Sequence, residues 1–186
     1  MGNTTKISEG LHLMYIGSII TIVAALCTLL ALLVPLLAII TGIAVLVGGV
    51  VCLVGLVKLR NDHEDYMSAL MACILGIVFG LLSNNESTFG SLMDLANSIC
   101  SLLRIYFVIR GTNSFLRDRG CLTEMSMGDK AWRWQLISIV VSVAAVVLAL
   151  VLLPLAFILV IVNLVVSIVA LVFYLSYLKA SAGALG

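Results

Sequence analysis

The sequence predicts an all-α integral membrane protein, with one transmembrane domain over residues 1–186 made of six helices in three antiparallel hairpins. Composition is the first reason: 63% of the 186 residues are hydrophobic and only 10% are charged, whereas a soluble domain carries about a quarter charged residues. The apolar runs are also longer than the roughly 20 residues that one membrane span needs. The third reason is that the basic residues fall on one side of the predicted membrane.

Prolines divide the two longest apolar runs. Residues 11–59 are almost wholly apolar, and Pro35 lies near their middle. Proline ends the preceding helix and suits the first turn of the next, so Pro35 predicts a tight hairpin, and Pro154 predicts another. The predicted spans are about 12–34, 35–58, 66–83, 90–109, 134–153 and 155–178, with a turn at 84–89 and a polar cytoplasmic loop at 110–133. Within that loop, the residues before Gly120 resemble a helix end with glycine as its cap.

Charge orients the predicted bundle. With six spans, the basic residues fall on the side that carries both termini: Lys6, Lys58, Arg60, Arg110, Arg117, Arg119, Lys130, Arg133 and Lys179. The turns on the opposite side contain Glu86 as their only charge. Because positive loops remain in the cytoplasm, we expect both termini to be cytoplasmic. We further expect a multi-pass protein of the cell membrane, specifically of a bacterial cytoplasmic membrane. Aromatic residues favour the same interface: Tyr15, Tyr66, Trp132, Trp134, Tyr174 and Tyr177.

Small residues recur at helical spacing in spans 2 and 3. They are Gly48 and Gly55 in span 2, and Ala72, Gly76 and Gly80 in span 3. Since lipid supplies no hydrophobic drive for helix association, such ridges let helices approach closely. Packing inside one bundle is the first interpretation. In the alternative, Gly76 and Gly80 face a second subunit, either another copy or a membrane partner.

Span 4 is unusual because it carries a polar stripe: Asp94, Asn97, Ser98, Ser101 and Arg104. A charged side chain at mid-bilayer costs at least about 2.5 kcal/mol, so the stripe should face the bundle or a hydrated cavity. Asn163 and Ser167 of span 6 lie at a similar depth, which predicts one polar layer in the outer half of the membrane. Two structural alternatives stay open. The amides and hydroxyls bond neighbouring helices at about 0.6 kcal/mol each, and Arg104 extends toward the cytoplasmic headgroups.

Motifs for catalysis, metals or cofactors do not occur in the sequence. The five cysteines have no CxxC or Cys/His spacing, which favours reduced, non-ligand thiols. The two histidines, His12 and His63, have no spaced partner for zinc or for a nucleophile. No phosphate-binding glycine loop appears. We therefore expect a protein without enzymatic activity, cofactor, metal or nucleic-acid partner.

The layout is similar to that of the bacterial acid-resistance membrane protein (HdeD-type) family. The similarity lies in six spans within 186 residues and in prolines at the outer turns of the first and third hairpins. The middle hairpin departs from it, because Asn84-Asn-Glu-Ser stands where a proline turn would be. Substrate-binding subunits of energy-coupling vitamin importers also have six spans at this size, but they carry substantial outer loops.

Two hypotheses of function follow. In the first, the chain is a non-enzymatic six-helix protein that acts through helix–helix contacts, as an oligomer or as an accessory subunit. In the second, it is a small transporter or channel whose path follows the polar stripe of span 4.

Overall fold

The structure is a computed structural model that describes residues 2–31, 35–82, 88–149 and 153–186, and within these residues all regular structure is helical. The six helices are α1 (Gly2–Ala31), α2 (Pro35–Leu59), α3 (Glu64–Leu82), α4 (Thr88–Asp118), α5 (Leu122–Ala149) and α6 (Leu153–Leu185). The prediction of an all-helical chain is therefore confirmed. The predicted turn at 84–89 lies mostly outside the described residues.

Four helices contain stretches that are long and apolar enough to cross a membrane. These stretches are Thr5–Ala24 in α1, Ile39–Leu59 in α2, Glu64–Leu82 in α3 and Ile161–Leu185 in α6. The described parts of α4 and α5 contain no such stretch. In α4 the polar stripe lowers the hydropathy. In α5 the described apolar part runs only from Trp134 to Ala149, which is shorter than the roughly 20 residues of a typical span.

Helices occupy most of the region 110–133, which the sequence had predicted to be a polar loop. Helix α4 continues to Asp118 and α5 begins at Leu122, so the non-helical part is a short turn. The prediction of a long loop was wrong because polarity alone does not end a helix. The region has no proline, and many of its residues, such as Arg, Leu, Met, Glu and Lys, favour helix. Helix α1 likewise begins at Gly2 instead of residue 12, and α6 ends at Leu185 instead of residue 178.

Gly120 ends α4, as its sequence context predicted. Its φ is +70°, a left-handed conformation that glycine adopts without steric cost. The Gly120 amide donates to the carbonyl of Arg117 at 3.0 Å, and the Cys121 amide donates to the carbonyl of Leu116 at 2.9 Å. These two bonds define a Schellman motif, which lets α5 start almost at once.

The helices form a closed ring. Helix α1 packs against α2 and α6, α6 against α5, α5 against α4, α4 against α3, and α3 against α2, while α4 also touches α6 across the ring. The most extensive contacts are those of the three hairpins α1–α2, α3–α4 and α5–α6.

Both termini and the Arg119–Cys121 turn meet at one end of the ring, called here the core end. Ser8 donates to the carbonyl of Ala182 at 2.7 Å, and Arg119 donates to the carbonyl of Ala184 at 3.0 Å. The largest fully buried side chains lie in this half: Tyr66, Tyr177, Ile7, Leu11, Met14, Leu56, Leu59, Leu116, Leu178, Leu185, Val108 and Thr112. The opposite end is called the open end, because apolar side chains toward it are exposed, as Leu81 is to 73%.

Buried hydroxyl groups bond one another at the core end. The hydroxyls of Tyr66 and Thr112 lie 2.9 Å apart. Tyr177 donates to Asn113 Oδ1 at 2.8 Å and approaches the carbonyl oxygen of Ile109 at 3.2 Å. These bonds join α3 and α6 to α4, and they satisfy polar groups that would be costly to bury alone.

Glycines allow close contact between α1 and α2. Gly10 and Gly17 of α1 face Gly55 and Gly48 of α2 in antiparallel register. A Cβ atom on Gly55 would lie 2.7 Å from the carbonyl oxygen of Gly10. The two predicted packing glycines of span 2 therefore lie where the backbones of α1 and α2 meet, and the sequence analysis had missed their partners in α1.

Candidate functional site

Helix α4 lies between two cavities, and its polar stripe faces both. Asn97 and Ser101 line the cavity between α4, α5 and α6, and they also line the cavity between α2, α3 and α4. This position follows from the ring, in which α4 is the neighbour of α3 on one side and of α5 on the other. The two cavities differ in chemistry, so each is described by itself.

The first cavity, called here the serine cavity, has a volume of about 620 Å³. The polar side chains that line it in the described residues are all neutral: Asn97, Ser98, Ser101, Gln135, Ser138, Ser142, Asn163 and Ser167. Five of the residues predicted from the sequence as a polar path, on α4 and α6, thus line one space. Helix α5 supplies the remaining three.

Ser138 is the centre of a hydrogen-bonded chain in the serine cavity. Its Oγ lies 2.8 Å from Ser167 Oγ and 3.5 Å from Asn163 Oδ1. Because a serine hydroxyl has one proton, Ser138 donates to Asn163 and accepts from Ser167. Asn163 and Ser167 are one turn apart on α6, which brings both within reach of Ser138, itself only 8% exposed.

The rim of the serine cavity is apolar. Leu95 and Ile99 of α4 and Val143 of α5 line it, and each is about half exposed. The cavity therefore opens sideways between α4 and α5, on the outer surface of the ring. Such an opening suits entry from a surrounding lipid phase as well as from the open end.

The second cavity, called here the arginine cavity, has a volume of about 450 Å³. Its polar lining consists of Asn97, Ser101, Arg104 and the thiol of Cys73. The small residues of α3 form one wall, and apolar residues form the rim: Val45, Leu46, Ile77 and Leu81.

The small-residue ridge of α3 faces α4 of the same chain. A Cβ atom on Gly76 would lie 3.2 Å from Asn97 Oδ1 and 3.4 Å from Cys100 Cβ, and one on Gly80 would lie 3.4 Å from Asn97 Nδ2. Ala72, on the same ridge, is buried. Asn97 therefore covers much of the surface that a second subunit would have used. This geometry favours the interpretation of packing inside one bundle.

Arg104 points into the ring instead of toward the headgroups. Its Nη1 lies 3.9 Å from Cys73 Sγ of α3, and Cys52 of α2 and Tyr174 of α6 are close enough to interact with its charge. The alternative in which Arg104 extends to the cytoplasmic surface was wrong for a geometric reason. Side chains of a helix tilt toward its N-terminus, and the N-terminus of α4 is at the open end.

Asp94, the other charged residue of the stripe, belongs to α4. Its side chain lies outside the part of the chain that the structure describes, so its predicted role in a polar path stays a prediction.

A third polar cluster lies at the core end, around a cavity of about 430 Å³. Asp65 is its centre: Arg110 Nε lies 3.5 Å and His63 Nδ1 3.4 Å from Asp65 Oδ2. The side chain of Arg110 is 62% exposed, and exposed pairs of this kind contribute about 0–1 kcal/mol. The sequence analysis missed this cluster because it treated residues 110–133 as a loop.

Metal-ligand geometry is absent from the described residues, which contain no group of three His, Cys, Asp or Glu side chains able to hold an ion. The five cysteines are free thiols.

Gln135 and Ser138 are the residues of the serine cavity that sequence reasoning missed. The sequence carries a signal for Ser138, because it precedes Ser142 by one helical turn, and counting residues from the outer end of span 5 puts Ser142 at about the depth of Asn163 and Ser167. Gln135 lies close to the predicted interface and resembled an ordinary flanking residue.

No protein-family model, curated protein or solved structure matches this chain. The similarity to the HdeD-type family in span count and proline position stays a prediction.

Proposed function

We propose that this chain is a six-span protein of the cell membrane, with both termini cytoplasmic, that binds a small neutral polar solute in the serine cavity. In this proposal it is a non-enzymatic transport or solute-binding component. The four apolar helices support the membrane assignment. In this proposal α4 and α5 complete the six spans, and their places in the ring beside the four apolar helices support this count.

The orientation rests on charge at the core end. The predicted cytoplasmic basic residues lie at the core end of the helices or in the turns there, including Lys6 of α1, Arg110 and Arg117 of α4 and Lys179 of α6. Cytoplasmic loops of membrane proteins carry such an excess of lysine and arginine. With the core end inside, the serine cavity lies near the middle of the membrane and extends toward the cytoplasmic side at Gln135.

The serine cavity itself is the observation that carries the proposal. Side chains that serve only to bind neighbouring helices would fill the space between those helices. Here eight neutral polar side chains from three helices surround a space of about 620 Å³. Their hydroxyl and amide groups both donate and accept hydrogen bonds, and among the residues that the structure describes no charged side chain lines the cavity. This lining suits a neutral solute with several hydrogen-bonding groups.

The alternative, a helix-packing or accessory protein that acts as an oligomer, has less support. Gly48 and Gly55 contact α1, and Gly76 and Gly80 contact Asn97. These ridges are thus used within the chain. A homo-oligomer or a partner subunit would have to bind the exposed apolar surface. Because a lipid bilayer also covers such a surface, its exposure does not by itself indicate a protein partner.

Solute permeation into vesicles tests the proposal. The protein is reconstituted in liposomes, and glycerol and urea uptake are measured by stopped-flow light scattering, with sodium chloride as the charged comparison. We expect the neutral solutes to enter faster than into protein-free vesicles. Ser138→Leu should abolish this difference, because it fills the cavity and removes the central hydroxyl.

Ser176→Ala is the matched control, because Ser176 lies on α6, as Ser167 does, but is exposed. It should leave the uptake rates unchanged. Uptake equal to that of protein-free vesicles, or uptake that persists in folded Ser138→Leu protein, would contradict the proposal.

A further inference from the structure

Among the residues that the structure describes, Arg104 is the one charged residue that lines the arginine cavity. Its guanidinium lies inside the ring, near side chains from α2, α3 and α6 that are neutral in their ordinary state: Cys52, Cys73 and Tyr174. An arginine remains protonated in proteins, so the cavity carries a full positive charge.

No carboxylate neutralises this charge among the described residues. The ion pairs found there are Lys58 with Glu9, His63 with Asp65 and Arg110 with Asp65. The hydrogen bond of Arg104 goes to Cys73 Sγ at 3.9 Å, and a thiol is a weak acceptor. Buried charges are normally paired, because desolvation costs several kcal/mol per ion. Arg104 therefore has no strong acceptor within the part of the chain that the structure describes.

The shape of the cavity indicates which chemical group would be attached to an anion that accepts hydrogen bonds from Arg104. Arg104 is the cationic group of the cavity, and Ser101 and Asn97 follow it along α4 toward the open end as further hydrogen-bond donors. The rest of the wall is apolar or consists of glycine, and the rim residues Leu46 and Leu81 are 71% and 73% exposed. The cavity thus joins a cationic end to an apolar opening between α2 and α3, where lipid chains would lie.

We propose that the arginine cavity binds an oxyanion carried on an acyl chain, a fatty carboxylate or an anionic lipid phosphate. Arg104 binds the anion with its guanidinium fork, which matches two oxygens of a carboxylate or a phosphate. Asn97 and Ser101 complete the polar end. The acyl chain leaves between α2 and α3 over Leu46 and Leu81.

This site is separate from the solute site of the serine cavity. Arg104 and the α2 and α3 residues do not line the serine cavity, and Ser138, Asn163 and Ser167 do not line the arginine cavity. Only Asn97 and Ser101 are shared, so neither residue is used to separate the two sites.

Binding of a spin-labelled fatty acid tests the proposal. The wild-type protein is placed in phosphatidylcholine nanodiscs, stearic acid with a nitroxide on its chain is titrated in, and the immobilised fraction is measured by electron paramagnetic resonance. Charge-assisted hydrogen bonds contribute about 1.5–3 kcal/mol, so Arg104→Gln should weaken binding by roughly 10- to 100-fold. Arg110→Gln is the matched control. It removes an arginine of the same helix that is exposed and paired with Asp65, and it should bind like the wild type.

The methyl ester of the same spin-labelled acid keeps the experiment decisive if Arg104→Gln does not fold. On wild-type protein the ester, which has no anionic oxygen, should bind at least 10-fold more weakly than the acid at pH 8. Equal binding of acid and ester would overturn the proposal, as would a folded Arg104→Gln protein that binds the acid with wild-type affinity.

Competition identifies the source of the anion. Unlabelled palmitate, phosphatidylglycerol and inorganic phosphate are each added at equal concentration. Displacement by palmitate alone assigns a fatty carboxylate, and displacement by phosphatidylglycerol assigns a lipid phosphate. If inorganic phosphate displaces the spin label as strongly as palmitate or phosphatidylglycerol does, the acyl chain does not contribute to binding. That result would overturn the acyl-chain part of the proposal.

Discussion

A Cβ atom on Gly17 of α1 would lie 2.6 Å from the carbonyl oxygen of Gly48 in α2, and one on Gly48 would lie 2.8 Å from the carbonyl oxygen of Gly17. The two glycines therefore exclude any side chain from each other's position. Since helix association in lipid depends on van der Waals contact between close backbones, this pair sets the distance between α1 and α2. Thr21 and Cys52 flank it and would be displaced together with the backbones.

Two adjacent glycines of α2 should respond differently to the same substitution. Gly48→Ala should lower the free energy of unfolding by about 1–3 kcal/mol, because overpacking forces the backbones apart. Gly49→Ala should leave it unchanged or slightly higher, because a Cβ atom there has no neighbour within 4 Å. Unfolding in mixed dodecyl maltoside and SDS micelles measures both. Equal losses for the two variants would contradict this view of the interface.

The hydroxyl pair of Tyr66 and Thr112 should contribute measurably to stability. Both residues are 0% exposed, so Tyr66→Phe removes a bond that joins α3 to α4 and leaves the Thr112 hydroxyl without this partner. We expect a loss of about 1–3 kcal/mol. A double-mutant cycle with Thr112→Val should yield a coupling energy of at least about 0.5 kcal/mol. Tyr106→Phe, on a half-buried ring of α4, is the control and should cost little. A coupling energy of zero would disprove the contribution of the pair.

Gly120 should tolerate substitution poorly even though space surrounds it. No atom lies within 4 Å of a Cβ atom there, but its φ of +70° is unfavourable for an L-residue. Gly120→Ala should therefore destabilise the protein by about 1–2 kcal/mol, and Gly120→Asn by less, because asparagine enters this conformation more readily. Gly183→Ala, at a helical position that also has open space, should be neutral. If the alanine variants at positions 120 and 183 melt at the same temperature, backbone conformation is not the cause.

Thiol labelling tests the proposed orientation. Cys121, in the turn between α4 and α5, is partly exposed, and we expect it to react with a membrane-impermeant maleimide only after the cells are permeabilised. Asn85→Cys, placed between α3 and α4 in a Cys121→Ser background, should react in intact cells. Labelling of Cys121 in intact cells would show that the core end faces outward, against the proposed orientation. Labelling of both positions from the same side would show that the chain does not cross the membrane an odd number of times between them, against the single crossing by α4.

The all-helical fold was readable from the sequence because long apolar runs and prolines leave few alternatives. Pro35 does begin α2, and Pro154 lies in the first turn of α6. The helical extensions beyond the predicted spans were not readable in the same way. Hydropathy indicates which segments can enter lipid. The helices around Arg117 and Glu124 continue through polar sequence, where hydropathy gives no signal. There, tertiary contacts and the absence of helix-breaking residues determine how far each helix extends.

The meeting of the polar side chains was predictable in part. Depth and spacing brought Asn97 and Asn163 to the same layer, and the structure has both in the serine cavity. Sequence could not assign the azimuth of each helix around the ring. For that reason it missed the central position of Ser138 and the contact of Asn97 with Gly76 and Gly80, and it left open whether Arg104 points into the bundle or toward the headgroups.

The concentration of buried side chains at the core end has a consequence for the two cavities. Helices that are fixed at one end can change their tilt without disturbing that end. Helix α4, with 31 residues, is about 46 Å long, so a tilt of roughly 5° displaces its far end by about 4 Å. Because both cavities border α4, a displacement of this one helix widens one opening and narrows the other. We therefore expect the anion and the neutral solute to alter each other's affinity, reciprocally and by the same factor.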